Sequence, residues 1–457
     1  MLKRNTKMDL TVGPILSSIV KYAFPIYLMG LLQNLMVAAD SAVLGNMADS
    51  TAIASVGATT VIIHLLISSI ITLSEGVKLV VGRAIGSKNF DRCKWVISTA
   101  MIAALGIGIL VIPVGLFLSE DLLILMNCPP ECIADASRYL TIYFLSAPIL
   151  LVYNFGSAII MVSGDSTKPM NYMLISGVVN VCLNVVLCLT LDNKVVAVAI
   201  ATLAGNVLSA ALVIRDLLRL GDGYSLDLKH LSFVFGEFGL MFKLGIPFTI
   251  SSLTYSFSNV QIQAELNSFG ASAIAGNVAS GYVELVVGLC VVRAFSGTLN
   301  SFLSQNIGAG KHDRVSKALK IALIASLISV AVTCSAGLIF GKPLLSIFVP
   351  EDALAIEYGV IRNQILLPAY LVVAVATVAG AVVVTLGYGY IATINTIITV
   401  LSFRVLYMTF VYPLTSGGPV NLYLTYVISW TLEALFATVA ALILYTRYKK
   451  GKYNKSF

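Results

Sequence analysis

The stretch AIGSKNFDR (84–92) decides the fold, because a matching stretch, NIGAGKHDR (306–314), occurs in the second half of the chain. Both copies carry an Ile-Gly pair and an Asp-Arg pair at equivalent places. Further residues recur at the same or nearly the same spacing: Lys21 and Pro25 as Lys243 and Pro247, and Pro130, Glu131 and Pro148 as Pro350, Glu351 and Pro368. The sequence therefore predicts two similar halves arranged in tandem.

The composition excludes a soluble protein. Of the 457 residues, 58% are hydrophobic and only 11% are charged, whereas about a quarter of the residues in a soluble domain are charged. This composition argues against a cytosolic enzyme, a nucleic-acid-binding domain and a disordered scaffold. We therefore predict an all-α integral membrane protein that contacts membrane lipid and has no nucleic-acid partner.

Twelve apolar runs are long enough to cross a bilayer, which takes about 20 residues. They are 22–44, 53–82, 95–118, 138–162, 171–191, 195–217, 240–268, 278–304, 317–340, 359–386, 390–413 and 421–446. Each half has six, an even number, so both halves enter the membrane in the same direction. This predicts two six-helix lobes, 1–217 and 240–457, related by a pseudo-two-fold axis along the membrane normal. The segment 218–239 is the predicted cytoplasmic linker.

The net charge of +7 is explained by membrane topology. With a cytoplasmic N-terminus, most Lys and Arg fall in inner segments, within 3–21, 83–94, 215–243, 311–320 and 447–455 and at Lys168. The predicted outer segments hold only Arg138, Lys194, Lys342 and Arg362. By the positive-inside rule, we expect a multi-pass protein of the cell membrane with both termini in the cytoplasm.

Several motifs resemble the multidrug and toxic compound extrusion (MATE) family. They are LLQNLMVAADSAVLG (31–45), YNFGSAIIMVSGDSTKP (153–169), SGVVNVCLN (176–184), AIATLAGNVLSA (199–210), FSNVQIQAELNSFG (257–270), SQNIGAGKHDR (304–314) and YVISW (426–430). The resemblance implies a twelve-helix, V-shaped exporter of amphipathic, often cationic compounds, driven by an inward proton or sodium gradient. Composition and repeat alone would not separate this family from the major facilitator superfamily.

The function implied is that of a secondary active antiporter for multidrug efflux, working as a monomer with H⁺ or Na⁺ as coupling ion and no other cofactor. The alternative is a lipid-linked oligosaccharide flippase or polysaccharide exporter of the same wider superfamily. Against it, five acids outnumber three bases among the eight ionisable residues that stand out as buried in the spans: Asp40, Glu75, Glu265, Glu284 and Glu433 against Lys78, Arg293 and Arg404. An enzyme is not expected, because the chain has no catalytic motif. No metal site is expected either.

Asp40 is the only acidic residue deep within a span in the outer half of the first lobe. Ionisable residues in hydrocarbon are costly and by default mark a pathway or a coupling site. At about 1.5 Å per residue, Asp40 lies roughly 6 Å from the outer end of its helix, Asn184 and Thr202 roughly 10 Å and Asn180 roughly 16 Å, so all four lie in the outer half of the first lobe. These four match the family's first-lobe cation site, except that the family often has Asp where this chain has Asn184. The three neutral side chains could alternatively serve as interhelical hydrogen-bond partners.

The other charges in the spans suggest pairs. Glu75 and Lys78 are one turn apart and either form a structural ion pair or belong to an inner gate. Arg404 and Glu433 have similar depths on neighbouring helices, which predicts a structural ion pair.

Glu284 and Arg293 are too far apart on one helix to pair and are candidates for substrate binding or gating. Glu284 is then the best candidate for a free carboxylate that attracts a cationic substrate. Cys128 and Cys132, in a short polar loop, could form a disulfide or remain free thiols; the two prolines between them constrain how the sulfur atoms can meet and favour the free thiols.

Overall fold

The computed structural model describes residues 7–221, 224–415 and 417–451, and all regular structure in these ranges is helical. The predicted all-α membrane fold is confirmed. Some residues used in the sequence analysis lie outside the described ranges: Lys3 and Arg4 at the N-terminus, and Lys452 and Lys455 at the C-terminus.

The described part of the first half, from residue 7 onward, forms seven helices. They are α1 (Ile15–Met47), α2 (Ser50–Gly86), α3 (Phe90–Leu125), α4 (Pro130–Leu145), α5 (Ala147–Val162), α6 (Thr167–Thr190) and α7 (Lys194–Leu217). The pair α4 and α5 is one predicted span with a bend of 44° just before Pro148, which cannot donate a backbone hydrogen bond. Asn193 caps α7, because its side chain accepts a hydrogen bond from the Val196 N–H at 3.0 Å.

The second half repeats this order with more irregular helices. They are α8 (Phe235–Asn267), α9 (Ala271–Glu284), α10 (Cys290–Gly308), α11 (His312–Ile339), α12 (Gly341–Phe348), α13 (Ala353–Thr385), α14 (Gly389–Thr396), α15 (Phe403–Leu406) and α16 (Gly418–Lys449). A π-helical turn joins α9 to α10, and two more, Ile397–Ser402 and Tyr407–Val411, flank α15. The segments 271–308 and 389–414 are therefore each one interrupted span.

Ten of the described helical segments are long and apolar enough to cross a membrane, or eleven if α4 and α5 count as one span. The remaining predicted span, 240–268, coincides with α8. That helix is 33 residues long, but Ser, Thr, Asn and Gln make its second half more polar than the other spans.

The chain divides into two compact units. The first contains the described residues up to Asp9 and Leu28–Gly245, and the second contains Leu10–Tyr27 and the described residues from Ile246 onward. The boundaries expected from the sequence, at 217 and 240, differ from this division. The predicted linker, whose Gly223 is not described, and the start of α8 belong to the first unit, and the start of α1 belongs to the second.

The arginine of each repeated Asp-Arg pair explains why the start of α8 belongs to the first unit and the start of α1 to the second. In the first unit, Arg92 donates to both carboxylate oxygens of Glu237 in the first turn of α8, at 2.7 and 3.1 Å. In the second unit, the equivalent Arg314 donates to the carbonyls of Leu10, Val12 and Gly13 at 3.2, 2.6 and 2.8 Å. Each arginine thus binds the segment that begins the other half's first helix.

Candidate functional site

Asp40 lies at the centre of a polar cluster in the first unit. Asn184 Nδ2 donates to Asp40 Oδ1 at 2.5 Å, and Thr202 Oγ1 lies 3.5 Å from Asp40 Oδ2. In the amide orientation that gives both of its atoms a partner, Asn180 donates to Asp40 Oδ1 at 3.0 Å and accepts from the Thr202 N–H at 3.3 Å. The structure thus brings together all four residues that the sequence placed in the outer half of the first lobe.

Helix geometry explains how these side chains meet. Asn180 and Asn184 are one turn apart on α6 and therefore share a face, and they are 1% and 0% exposed. Thr202 comes from α7, which packs along α6. Asp40 is carried by α1, about 10 Å along the helix from Met47, and is partly buried. Three helices therefore contribute one charged and three neutral side chains.

The charge of Asp40 has no basic partner in the described part of the chain, where no Lys, Arg or His nitrogen lies within 4.0 Å of it. Its known partners are neutral donors, which stabilise a carboxylate without cancelling its charge. In addition, Asn184 Oδ1 is buried without a hydrogen-bond partner. The cluster therefore has the composition of a site for one monovalent cation.

Two tyrosines near this cluster were missed by the sequence reasoning. Tyr139 and Tyr143 of α4 lie close enough to Asp40 to interact with its charge. They are one turn apart on one face of α4, with ring centroids 6.2 Å apart. That spacing was visible in the sequence, but it did not show which helix this face packs against.

Glu75 and Lys78 contact each other as an ion pair on α2. The Lys78 side chain is only 3% exposed, whereas that of Glu75 is 18% exposed. The structure therefore shows the contact that an ion pair requires. A role of this pair in an inner gate stays a prediction.

The predicted ion pair between Arg404 and Glu433 is wrong. Arg404 Nε donates to Ser429 Oγ at 3.0 Å, and Nη1 donates to Asn259 Oδ1 at 2.7 Å. Its guanidinium also lies 4.5 Å from the centroid of the Tyr426 ring. Ser429 is one turn before Glu433 on α16. The guanidinium of Arg404 therefore contacts α16 one turn away from Glu433 and does not form an ion pair with it. The π-helical turns that flank α15 change the register of this span, which depth counting from the helix ends does not capture.

Glu284 is not the free carboxylate that the sequence suggested. It pairs with Arg362 at 2.5 Å and accepts a hydrogen bond from the Tyr370 hydroxyl at 2.7 Å. Arg362 had been assigned to an outer segment. In fact α13 begins at Ala353, capped by Asp352, so Arg362 lies about 14 Å inside the helix. Arg293, the other candidate on this span, is exposed.

This pair leads to a stability prediction. The side chains of Arg362 and Glu284 are 10% and 14% exposed, and removing one partner of a buried pair costs about 3–5 kcal/mol. We expect Arg362→Met to lower the melting temperature in detergent strongly, and the double variant Glu284→Gln/Arg362→Met to recover most of the loss. If the double variant melted at the same temperature as Arg362→Met or lower, a direct ion pair between Arg362 and Glu284 would be contradicted.

Other candidate chemistry is sparse. Cys128 and Cys132 are free thiols in the structure, the first partly exposed and the second buried. Among the described residues, no group of three or more His, Cys, Asp or Glu side chains has the arrangement of a metal site.

Comparison with known proteins places both halves of the chain in one family. The MatE family model matches residues 25–186 and 247–412, which is one match for each repeat. This chain belongs to the MatE family. The resemblance to the multidrug and toxic compound extrusion transporters is thereby confirmed, and the MatE fold accounts for the repeated six-span halves.

Two bacterial proteins are similar to this chain over about three quarters of its length. The probable multidrug resistance protein YoeA of Bacillus subtilis is 25% identical over 72% of this chain and 73% of its own. The multidrug export protein MepA of Staphylococcus aureus is 24% identical over 75% of each chain.

Solved structures share the fold at low identity. An outward-facing multidrug resistance MATE transporter has a TM-score of 0.88 and 18% identity, covering 98% of this chain and 100% of its own. A transporter of the wider superfamily from Pyrococcus furiosus, described as having a binding pocket of reverse polarity, has a TM-score of 0.87 and 18% identity, covering 96% of this chain and 98% of its own.

Proposed function

We propose that this protein is a secondary active antiporter that exports amphipathic cationic small molecules across the cell membrane. Export is coupled to the inward movement of H⁺ or Na⁺ bound at Asp40. The protein works as a monomer with both termini in the cytoplasm. Membership of the MatE family supports this proposal, as do the names of YoeA and MepA, which describe multidrug resistance and multidrug export.

The observation that carries the proposal is the uncompensated carboxylate of Asp40. A charge in the hydrocarbon region costs at least about 2.5–3.5 kcal/mol, and the neutral partners of Asp40 do not remove that charge. A single H⁺ or Na⁺ would neutralise it completely, because the site has one carboxylate only. The site thus has two states that differ by one cation, which is what an ion-coupled transporter requires.

The direction of the hydrogen bonds favours a proton over sodium. Sodium prefers oxygen ligands, as other hard cations do, but Asn184 and Asn180 direct N–H groups at Asp40 Oδ1. A proton needs only one carboxylate oxygen, and among the described residues Asp40 Oδ2 has only the 3.5 Å contact with Thr202 Oγ1. A proton on Oδ2 would not require either amide to turn.

Ion binding can change the conformation through α1. Protonation of Asp40 weakens the hydrogen bonds that Asn184 and Asn180 donate to it, because they no longer point at a charged carboxylate. The contacts that hold α1 against α6 and α7 therefore differ in strength between the two states. Residues 10–27, which precede and begin α1, belong to the second unit. A shift of α1 would therefore act on both units, and each ligand would favour the conformation that it binds more tightly.

The test is transport in liposomes that contain the purified protein, with an inside-high gradient of H⁺ or Na⁺. We expect a fluorescent organic cation to accumulate above the level in protein-free liposomes, and the accumulation to disappear when an ionophore collapses the gradient. A labelled lipid pyrophosphate is not expected to move. Transport of the lipid but not of the cation would overturn the proposal in favour of a flippase.

A further inference from the structure

Arg404 is the largest fully buried side chain among the described residues, with 1% of its surface exposed. It is carried by α15, which has a π-helical turn on either side, and such turns are frequent at functional sites. In the described part of the chain no carboxylate oxygen lies within 4.0 Å of its guanidinium. Because an arginine does not lose its proton in a protein, the second unit has a permanent positive charge here without an acidic partner.

Three neutral oxygen acceptors hold this guanidinium. Nε donates to Ser429 Oγ at 3.0 Å, and Nη1 donates to Ser258 Oγ at 3.1 Å and to Asn259 Oδ1 at 2.7 Å. The two hydroxyls donate their own hydrogens to the carbonyls of Tyr426 and Tyr255, so towards the arginine they can only accept. The rings of these tyrosines have their centroids 4.5 and 5.9 Å from the guanidinium carbon, within reach of a cation–π interaction. Acceptors and rings together form a site for a cation.

The repeat places Ser429 at the counterpart of a residue beside the Asp40 cluster. Gly205 is the twelfth residue after the cap of α7, and Ser429 is the twelfth residue after the cap of α16. In the first unit, an ideal Cβ at Gly205 would lie 3.2 Å from the Asn180 Cβ. The wall of α16 that binds the guanidinium therefore corresponds to the wall of α7 that packs on the Asp40 cluster.

Arg404 itself corresponds to Asn180 of that cluster. The loops before α6 and α14 each contain a glycine with positive φ, Gly164 and Gly387. Asn180 is the sixteenth residue after the first glycine, and Arg404 is the seventeenth after the second. The extra residue is taken up by the π-helical turn Ile397–Ser402, since a π turn is wider than an α turn.

The second unit has no carboxylate at the counterpart of Asp40. Counted from the proline inside each helix, Ile262 of α8 stands where Asp40 stands in α1, and it is 2% exposed. Ser258, which binds the guanidinium, lies one turn before Ile262. The first unit therefore has a carboxylate held by N–H donors, whereas the second has a cation held by oxygen acceptors at the same helix junction, one turn away.

We propose that the guanidinium of Arg404 is a built-in ligand, which permanently fills a cation site of the second unit so that no exchangeable ion enters it. The charge is attached to the chain and does not titrate, so this site has one state, whereas the Asp40 cluster has an ion-free and an ion-bound state. At these counterpart positions the coupling ion acts on the first unit alone, a statement that rests on the proposed function. The occupied site itself is measured by stability without any ion gradient, so its failure and a failure of transport are seen separately.

The first test removes the side chain and returns its charged end as a free molecule. Arg404→Ala leaves three acceptors without their donor and opens a space with the shape of N-ethylguanidinium, and the exposed Asn259 gives a small probe a route to it. We expect this variant to melt below the wild type in detergent. N-Ethylguanidinium at about 20 mM should restore at least half of the loss, because a ligand that binds only the folded protein stabilises it. N-Ethylurea, which has the same shape but no charge, should restore none of it.

The matched control is Arg293→Ala, the same chemical change at an exposed position of α10 in the same unit. Neither probe should change the melting temperature of this variant or of the wild type, in which the arginine already occupies the site. Equal stabilisation of Arg404→Ala by the two probes would overturn the inference, as would no stabilisation by N-ethylguanidinium.

A second pair of variants tests the site without a probe and applies even if Arg404→Ala does not yield folded protein. Lysine and methionine are both unbranched, but in hydrocarbon lysine is much the costlier of the two. A site built for a cation reverses this order, because an ammonium group satisfies the acceptors and the tyrosine rings and a thioether does not. We therefore expect Arg404→Lys to melt at a higher temperature than Arg404→Met. If Arg404→Met melted at the same temperature or higher, the site would not require a cation and the inference would be overturned.

Discussion

Replacing Asp40 by Asn is expected to reduce gradient-driven accumulation of an organic cation to the level of protein-free liposomes. The amide is nearly isosteric with the carboxylate but cannot bind a proton or neutralise a sodium ion, so the site would have one state instead of two. Folding should be retained, because the variant removes a charge from the hydrocarbon region. Transport in liposomes and the melting temperature in detergent, measured on the same preparation, separate the two effects.

The matched control is Asp192→Asn. Asp192 is exposed between α6 and α7, so the variant makes the same chemical change near the same helices without touching the cluster. It should transport as the wild type does. Wild-type rates in Asp40→Asn, or an equal loss in both variants, would remove the coupling role of Asp40.

Replacing Gly76 by Ala is expected to destabilise the first unit severely. An ideal Cβ at this position would lie 2.2 Å from the Met241 carbonyl oxygen and 2.6 Å from the Gly245 N. Both contacts are to the backbone of α8, which cannot move as a flexible side chain can. Small residues at such crossings allow helices in membranes to approach closely. We expect a loss of about 3 kcal/mol, the upper part of the usual range for overpacked interiors, seen as a lower melting temperature.

Gly57→Ala is the matched control on the same helix. A Cβ at Gly57 would meet no atom within 4 Å, and alanine favours helix more than glycine does by about 1 kcal/mol. This variant should be as stable as the wild type or slightly more stable. If both alanine variants melted at the same temperature, the close approach of α2 and α8 would not contribute to stability as described.

The sequence was most informative where a property depends on one helix at a time. Spans follow from apolar length, and the tandem halves follow from the repeated Asp-Arg motif. The Asp40 cluster was found because Asn180 and Asn184 share a face of α6, and because both lie in the same outer half of the first lobe as Asp40 and Thr202. The resemblance to a known family then selected these four among the polar residues of the spans.

Partners across helices in the second half could not be predicted, because they depend on helix rotation and on register. Arg404 and Glu433 agreed in depth to within about a turn, yet Arg404 binds at Ser429. Arg362 looked like an outer residue because the cap at Asp352 starts α13 earlier than the apolar run suggested. The π-helical turns on either side of α15 could not be predicted either, because the pattern of apolar residues does not show where a helix changes its hydrogen-bond register. Each error moved a charge by one turn or more, which is enough to exchange its partner.

The most direct test of Asp40 as the coupling site is the ion movement that the substrate itself drives. Liposomes containing the wild type or Asp40→Asn would enclose a pH-sensitive or a sodium-sensitive dye, and the organic cation would be added outside without any imposed ion gradient. In the wild type we predict that uptake of the cation drives protons out, so that the interior becomes more alkaline. In Asp40→Asn we predict no such change. Substrate-driven movement of H⁺ or Na⁺ that persists in Asp40→Asn would contradict the assignment of the coupling ion to this carboxylate.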